Sequence, residues 1–135
     1  MHKVKNPVIG GEETLRITLA AMEMPIEDYI EFLKAVLDDA KNRKPIENFS
    51  ARVMLAGSAL DDPEFVKAIE DLGCLVVADL NSFGIRFLRD ELIYDEDDIM
   101  GSIAKYYISR SSCPRMMDGS DDIHEYILNA TKEYD

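Results

Sequence analysis

The sequence predicts an α/β fold in which a short parallel sheet is flanked by helices and preceded by a helical segment. Three observations lead to this prediction: the apolar run RVMLAG ends at a glycine, an amphipathic helix follows it, and the apolar run CLVVADL comes next. Short apolar runs bounded by turn signals are typical of buried strands. A strand, a helix and a strand within about thirty residues form a βαβ unit with parallel strands. We therefore predict a Rossmann-like βαβ unit near the centre of the chain.

The helical lead-in is predicted over residues 1–45, and the Rossmann-like α/β domain over residues 46–135. Residues 12–22 fit a short helix, and residues 26–43 fit a stronger one that Pro45 ends, because apolar residues recur there at helical spacing. The predicted inner face of the stronger helix contains Tyr29, Ile30, Leu33, Val36, Leu37 and Ala40.

Within the central unit, the strand at residues 52–57 is expected to be buried on both faces. Asp62 is a predicted N-cap, Pro63 fits the first helical position, and Gly73 is predicted to end that helix. The second strand is predicted over residues 74–80. The helix between the strands is expected to turn one apolar face toward the sheet, made of Phe65, Val66, Ile69 and Leu72.

The last third of the chain predicts two more helices. Half of the residues in the stretch 87–98 are acidic, and the carboxylates of residues 95–98 suit the positive N-terminal end of the helix that follows. The predicted inner face of that helix contains Ile99, Met100, Ile103, Ala104, Tyr107 and Ile108. Ser120 or Asp121 is expected to cap the final helix, whose predicted inner residues are Ile123, Tyr126, Ile127 and Ala130.

The charge and the hydropathy pattern limit the classes of function. The formal net charge is −12, from 27 acidic and 15 basic residues, and such a field repels nucleic-acid phosphates. No apolar stretch is long enough to span a bilayer, and residues 1–13 lack the apolar region of a signal peptide. We therefore expect a cytoplasmic protein that binds neither nucleic acid nor membrane.

Common catalytic and metal-binding motifs do not match the chain. Cys74 and Cys113 with two scattered histidines give no zinc-ligand spacing, and Cys74 is interpreted as a small core residue. The loops after the two strands contain no P-loop, no GxGxxG and no GxSxG motif. A response-regulator-like interpretation, using Asp79 and the Asp61-Asp62 pair, lacks the third strand and lysine that it requires.

Two short motifs carry a family resemblance. SFGIR (residues 82–86) follows the second strand, and Cys113-Pro114 follows the next helix; GSALDDPEFVKAIEDLGCLVVAD precedes them. This arrangement resembles the iron–sulfur domain of the benzoyl-CoA reductase / 2-hydroxyglutaryl-CoA dehydratase family, whose members read Cys-Thr-Gly-x-Arg at the first motif. GGEETLRITLAAMEMPIEDYIEFLKAVLDDAKNR is similar to the helical lead-in of these subunits.

The resemblance implies a cofactor and its ligands. In the family, three cysteines hold a [4Fe-4S] cluster near these two loops. Here Cys113 matches one ligand, Ser82 stands where a second cysteine is expected, and Arg86 matches the arginine that lines the same pocket; the third cysteine has no counterpart. Clusters are normally held by thiolates. We therefore expect no cluster to be bound by this chain, and we assign it no catalytic residue.

The resemblance also implies a parent enzyme and its partners. The chain is expected to be a fragment of a subunit of a 2-hydroxyacyl-CoA dehydratase or benzoyl-CoA reductase, inactive by itself, with the parent protein continuing beyond residue 135. The implied partners are a homologous second subunit, an ATP-dependent activator protein and an acyl-CoA substrate. Uncovered sheet edges predict self-association of the fragment. The alternative is a non-catalytic Rossmann-like scaffold or interaction domain, because packing alone accounts for every predicted helix face.

Overall fold

The computed structural model describes residues 5–84, 91–109 and 120–134. Within these ranges the chain forms five helices and two strands. The helices are α1 (Gly11–Glu23), α2 (Ile26–Ala40), α3 (Pro63–Asp71), α4 (Ile99–Ser109) and α5 (Ser120–Glu133), and the strands are β1 (Ala51–Ala56) and β2 (Cys74–Leu80). None of the helices in the described ranges has both the length and the apolar character that a transmembrane segment needs.

The two strands form a parallel sheet, and α3 connects them. The pairing runs from Ala51 opposite Cys74 to Ala56 opposite Leu80, with a register shift after Val53. The α/β class, the parallel βαβ arrangement and the helical N-terminal part are therefore confirmed.

The ends of α3 follow the predicted local signals. The Asp62 side chain accepts a hydrogen bond from the Glu64 N–H at 3.0 Å, and Pro63 occupies the first turn. Gly73 has φ +90°, a conformation that favours glycine after a helix. These contacts confirm both predicted boundaries of the helix.

The core lies between α1, α3 and β2. Leu15, Val66 and Val76, one from each element, are its buried members. The side chains that pack against them are Leu19, Val53, Leu55, Leu60 and Ile69. Helix α1 thus shares a core with the βαβ unit; the boundary between residues 45 and 46 stays a prediction.

The burial predicted for β1 is wrong. Its central residues are half-buried and its two ends are exposed, whereas β2 contains the buried residues Leu75, Val76, Val77 and Leu80. Each strand has one neighbouring strand in the described sheet, so the difference comes from the helices, which pack mainly over β2. An apolar run alone does not show which strand the helices cover.

The inner faces of α2 and α3 are narrower than predicted. One narrow stripe of α2 faces inward, and its residues lie four, three and four positions apart. They are Tyr29, Leu33, Val36 and Ala40. Ile30 and Leu37 lie at the edge of this stripe and are exposed. In α3, Val66 is buried and Ile69 is half-buried, but Phe65 is exposed, and Leu72, which follows the last helical residue, is 86% exposed.

The predictions of buried faces for the two C-terminal helices have different outcomes. The buried face predicted for α4 is wrong, because none of its residues is buried and Met100 and Ile108 are 75% and 79% exposed. The reason is tertiary: α4 has no extensive contact with another described helix or strand. The face predicted for α5 is confirmed, with Ala130 buried and Ile123, Tyr126 and Ile127 half-buried.

The acidic stretch before α4 forms the helix start that its charge pattern predicts. Asp98 Oδ1 accepts a hydrogen bond from the Gly101 N–H at 2.9 Å, which is N-cap geometry. Asp95 Oδ1 accepts from the Asp97 N–H at 3.0 Å, and the Asp95 N–H donates to Ser102 Oγ at 2.9 Å. These carboxylates therefore act as local caps.

Candidate functional site

The carboxyl ends of β1 and β2 bring two loops together, as expected for parallel strands. The Ser82 N–H donates a hydrogen bond of 3.0 Å to the Ser58 carbonyl oxygen. This bond joins the loop after β1 to the loop after β2. The predicted candidate Ser82 is half-buried at this junction, and Ser58 is exposed.

Asp79, near the end of β2, shapes the loop that carries Ser82. Its Oδ1 accepts a hydrogen bond from the Asn81 N–H at 3.1 Å, and the Gly84 N–H donates to the Asn81 carbonyl oxygen at 3.2 Å. Gly84 is buried against the Asp79 carboxylate, and a Cβ atom at residue 84 would overlap Oδ1. The glycine of the SFGIR motif is therefore required by close approach to Asp79.

Asn81 is a site residue that the sequence analysis did not identify. It is only 5% exposed and lies directly after β2. Together with Asp79 it lines a cavity of about 80 Å³ between the sheet, α1 and α5. A polar residue immediately after a buried strand was the available signal, because the carboxyl ends of strands are where ligands gather in such sheets.

The loop after β1 is poorly suited to binding an anion. The N-terminal end of α3 is already occupied, because the Asp62 carboxylate accepts the Glu64 N–H there. An anionic ligand at that helix end would meet this negative charge. Asp61 is exposed, and Asp62 serves as the cap, so the two do not form an acidic pocket with Asp79.

The structure positions one of the three predicted site residues. Ser82 is described, whereas Arg86 and Cys113 lie outside the described residues. The predicted approach of Ser82 to Cys113 therefore stays a prediction. The Cys74 thiol is free and half-buried at the opposite end of β2 from Ser82, which suits its interpretation as a small packing residue.

The described residues do not fit an iron–sulfur cluster. Within residues 5–84, 91–109 and 120–134, no three His, Cys, Asp or Glu side chains are grouped so that they could hold a metal ion. Ser82 offers a hydroxyl where a thiolate is the usual ligand. Cys74 cannot substitute for it, because the rise of about 3.3 Å per residue separates the ends of β2 by on the order of 20 Å.

Comparison with known proteins gives two similarities. The profile of the family described as 2-hydroxyglutaryl-CoA dehydratase, D-component, matches residues 1–135. One of the subunits of the benzoyl-CoA reductase of Thauera aromatica is 28% identical over 116 residues, which cover 84% of this chain and 30% of that protein. The chain thus spans about a third of the length of this curated relative. No solved structure matches.

The matched residues include the whole βαβ unit and the loop that carries Ser82. The chain belongs to the 2-hydroxyglutaryl-CoA dehydratase D-component family.

Proposed function

We propose that this chain is a segment of one subunit of an enzyme of the 2-hydroxyacyl-CoA dehydratase or benzoyl-CoA reductase type. We further propose that it is inactive by itself and binds no [4Fe-4S] cluster. Support for the enzyme class comes from the family match and from the relative's name, benzoyl-CoA reductase. The observation that carries the second part is Ser82, which occupies the loop at the end of β2 where a cysteine is expected.

The chemistry of Ser82 supports a cluster-free segment. A serine hydroxyl is far harder to deprotonate than a thiol, whose ordinary pKa is about 8.5, so it is a poor ligand for iron. The close approach of Gly84 to the Asp79 carboxylate contributes to the shape of the loop that carries Ser82. In this proposal the segment keeps the fold of the family and the position of the loop, while the cluster chemistry belongs to other parts of the enzyme.

The proposed partners are a homologous second subunit, an ATP-dependent activator protein and an acyl-CoA substrate. A second copy of the chain is a further proposed partner, because α4 exposes large apolar side chains, including Met100 and Ile108. Exposed apolar patches mark interaction surfaces.

Anaerobic incubation with ferrous iron and sulfide tests the cluster-free state. After desalting, the wild-type chain is expected to retain no more iron and sulfide than a Cys113→Ser control. Ser82→Cys is expected to retain more than wild type, because it adds a second thiolate beside the proposed Cys113 position. Retention of a full cluster's iron by the wild-type chain, and its loss in the Cys113→Ser variant, would overturn the proposal.

The second candidate function is a non-catalytic scaffold or interaction domain, which the exposed face of α4 favours. The two candidates differ in whether the chain is expected to bind an acyl-CoA. Equilibrium dialysis with an acyl-CoA distinguishes them: saturable binding supports the enzyme segment, and no binding by the folded chain supports the scaffold.

A further inference from the structure

The cavity between α1, the sheet and α5 has a mixed lining. One part is apolar, and the other contains polar side chains, among them Asp79 and Asn81 at the end of β2. The apolar part is formed by Leu15, Leu55, Leu60, Val66 and Val76. The volume of about 80 Å³ exceeds what a single water molecule needs, which is about 10–15 Å³ by the same kind of measure.

Asn81 is the side chain that the packing leaves unexplained. Its backbone N–H and carbonyl are used by Asp79 and Gly84, but its carboxamide makes no hydrogen bond to another described residue. The residue is 5% exposed, so bulk water does not solvate it freely. Buried polar side chains are hydrogen-bonded in the large majority of cases, to protein or to a bound molecule. The cavity is where the partner of this carboxamide can lie.

The lining also defines the charge of the guest. Asp79 is the one charged side chain among the described residues that line the cavity, so an anion would be repelled there. The Thr18 hydroxyl lines the same cavity and donates to the Thr14 carbonyl oxygen, so its own oxygen can act as an acceptor on that wall. A guest with an uncharged polar group at one end and a short apolar group at the other matches both parts.

We infer that this cavity binds a small uncharged molecule with a carbonyl or primary amide group, held by the Asn81 carboxamide. A cavity of about 150 Å³ accommodates benzene, which has six non-hydrogen atoms, so in proportion the present volume suits a group of about three or four. The inference goes beyond the proposed function and does not depend on it, since it concerns residues of this chain that need neither a cluster nor a partner subunit.

Acetamide is the probe, with acetate as its charged counterpart of nearly equal size. The 135-residue chain, labelled with ¹⁵N, is titrated with each while amide and side-chain NH₂ signals are followed by NMR. We expect saturable shifts of the Asn81 side-chain NH₂ and of the Thr18 and Val76 amides, with a dissociation constant of about millimolar size for so small a ligand. Acetate should bind at least about tenfold more weakly.

Two variants test the role of Asn81 and of the cavity. Asn81→Ala should weaken acetamide binding about tenfold, the loss expected for one hydrogen bond. Leu60→Phe should block binding by filling the cavity from another wall, and it keeps the test decisive if Asn81→Ala fails to fold. Asn42→Ala is the matched control, because the Asn42 side chain donates to the exposed Asp38 carbonyl outside the cavity.

Three results would overturn the inference. They are the absence of saturable shifts with acetamide, unchanged binding by a folded Asn81→Ala or Leu60→Phe variant, and equal binding of acetate. Because no iron, sulfide or acyl-CoA is present in this experiment, its failure would leave the iron-retention result as it stands.

Discussion

The Glu70 carboxylate at the end of α3 accepts a hydrogen bond of 2.8 Å from the Gly11 N–H in the first turn of α1. The same carboxylate accepts from the Glu12 N–H at 3.2 Å and from the Val76 N–H at 3.2 Å. One side chain therefore caps α1 and also joins it to α3 and β2. The first N–H groups of a helix lack partners within it and favour a negative charge, so this contact fixes the N-terminal helix on the βαβ unit.

Glu70→Ala is expected to lower the free energy of unfolding by about 2 kcal/mol, because several hydrogen bonds to a charged group are lost together. Glu70→Gln should cost about half as much, since the amide oxygen still accepts but the charge at the helix end is gone. Urea denaturation followed by circular dichroism measures both variants.

Glu31→Gln is the matched control for Glu70, because Glu31 is exposed on α2 and is not part of this junction. Its free energy of unfolding should lie within about 0.5 kcal/mol of wild type. Equal stability of Glu70→Ala and Glu31→Gln would contradict the role assigned to Glu70.

Gly84→Ala is expected to distort the loop that carries Ser82. The added methyl group would meet the Asp79 carboxylate, and relief of such an overlap typically costs about 1–3 kcal/mol. Gly57→Ala is the control on the neighbouring loop, where the nearest atom to a new Cβ is Asn81 Oδ1 at 3.4 Å. Amide NMR signals of residues 79–84 should shift in Gly84→Ala and stay close to wild type in Gly57→Ala; the reverse pattern would refute the close-approach argument.

Local signals made the βαβ unit predictable. Asp62 followed by Pro63 indicates a helix start, Gly73 indicates its end, and these signals act through a few neighbouring atoms. They therefore depend little on the rest of the fold. The same holds for Asp98, which caps α4 as the acidic stretch predicts.

Burial was less predictable because it depends on which elements meet in space. Periodicity identifies an apolar face of α4, but it does not state whether another element covers that face, and Ile108 is exposed. Burial also occurs where no pattern predicts it. Pro7 and Ile9 belong to no periodic apolar pattern, yet they are the most deeply buried large side chains among the described residues. Asn81 was missed for a related reason: its burial follows from the packing of α1 and the loops over the end of β2.

Tyr29 is expected to make stability depend on alkaline pH. Burial raises the pKa of the Tyr29 phenol above its ordinary value of 10.0, and its hydroxyl donates to the Ile17 carbonyl oxygen at 3.1 Å. Because the folded state holds this proton more tightly than the unfolded state, the contribution is fully present below pH 10 and is lost as the pH rises through the folded-state pKa.

Tyr29→Phe is the corresponding variant. It should lower the free energy of unfolding by about 1 kcal/mol at neutral pH through loss of the hydrogen bond. Its stability should also decline less steeply above pH 10 than that of the wild-type chain, because the Tyr29 phenol no longer ionises. Some decline remains, since the other tyrosines are present in both proteins. Parallel alkaline slopes for the two proteins, measured by urea denaturation, would count against the role of Tyr29.

The exposed face of α4 is expected to drive self-association. Ile108 is 79% exposed and Met100 is 75% exposed, so burying both in a contact between two copies removes apolar area from water. The net charge of −12 opposes this contact, and added salt should strengthen it by screening that repulsion. Ile108→Glu should therefore shift the sedimentation-velocity profile toward monomer at every salt concentration.

Lys105→Gln is the matched control, because it is an exposed change on the same helix and alters the net charge by the same amount. It should leave the association nearly unchanged. Equal dissociation by the two variants would mean that charge, and not the apolar face of α4, controls the assembly.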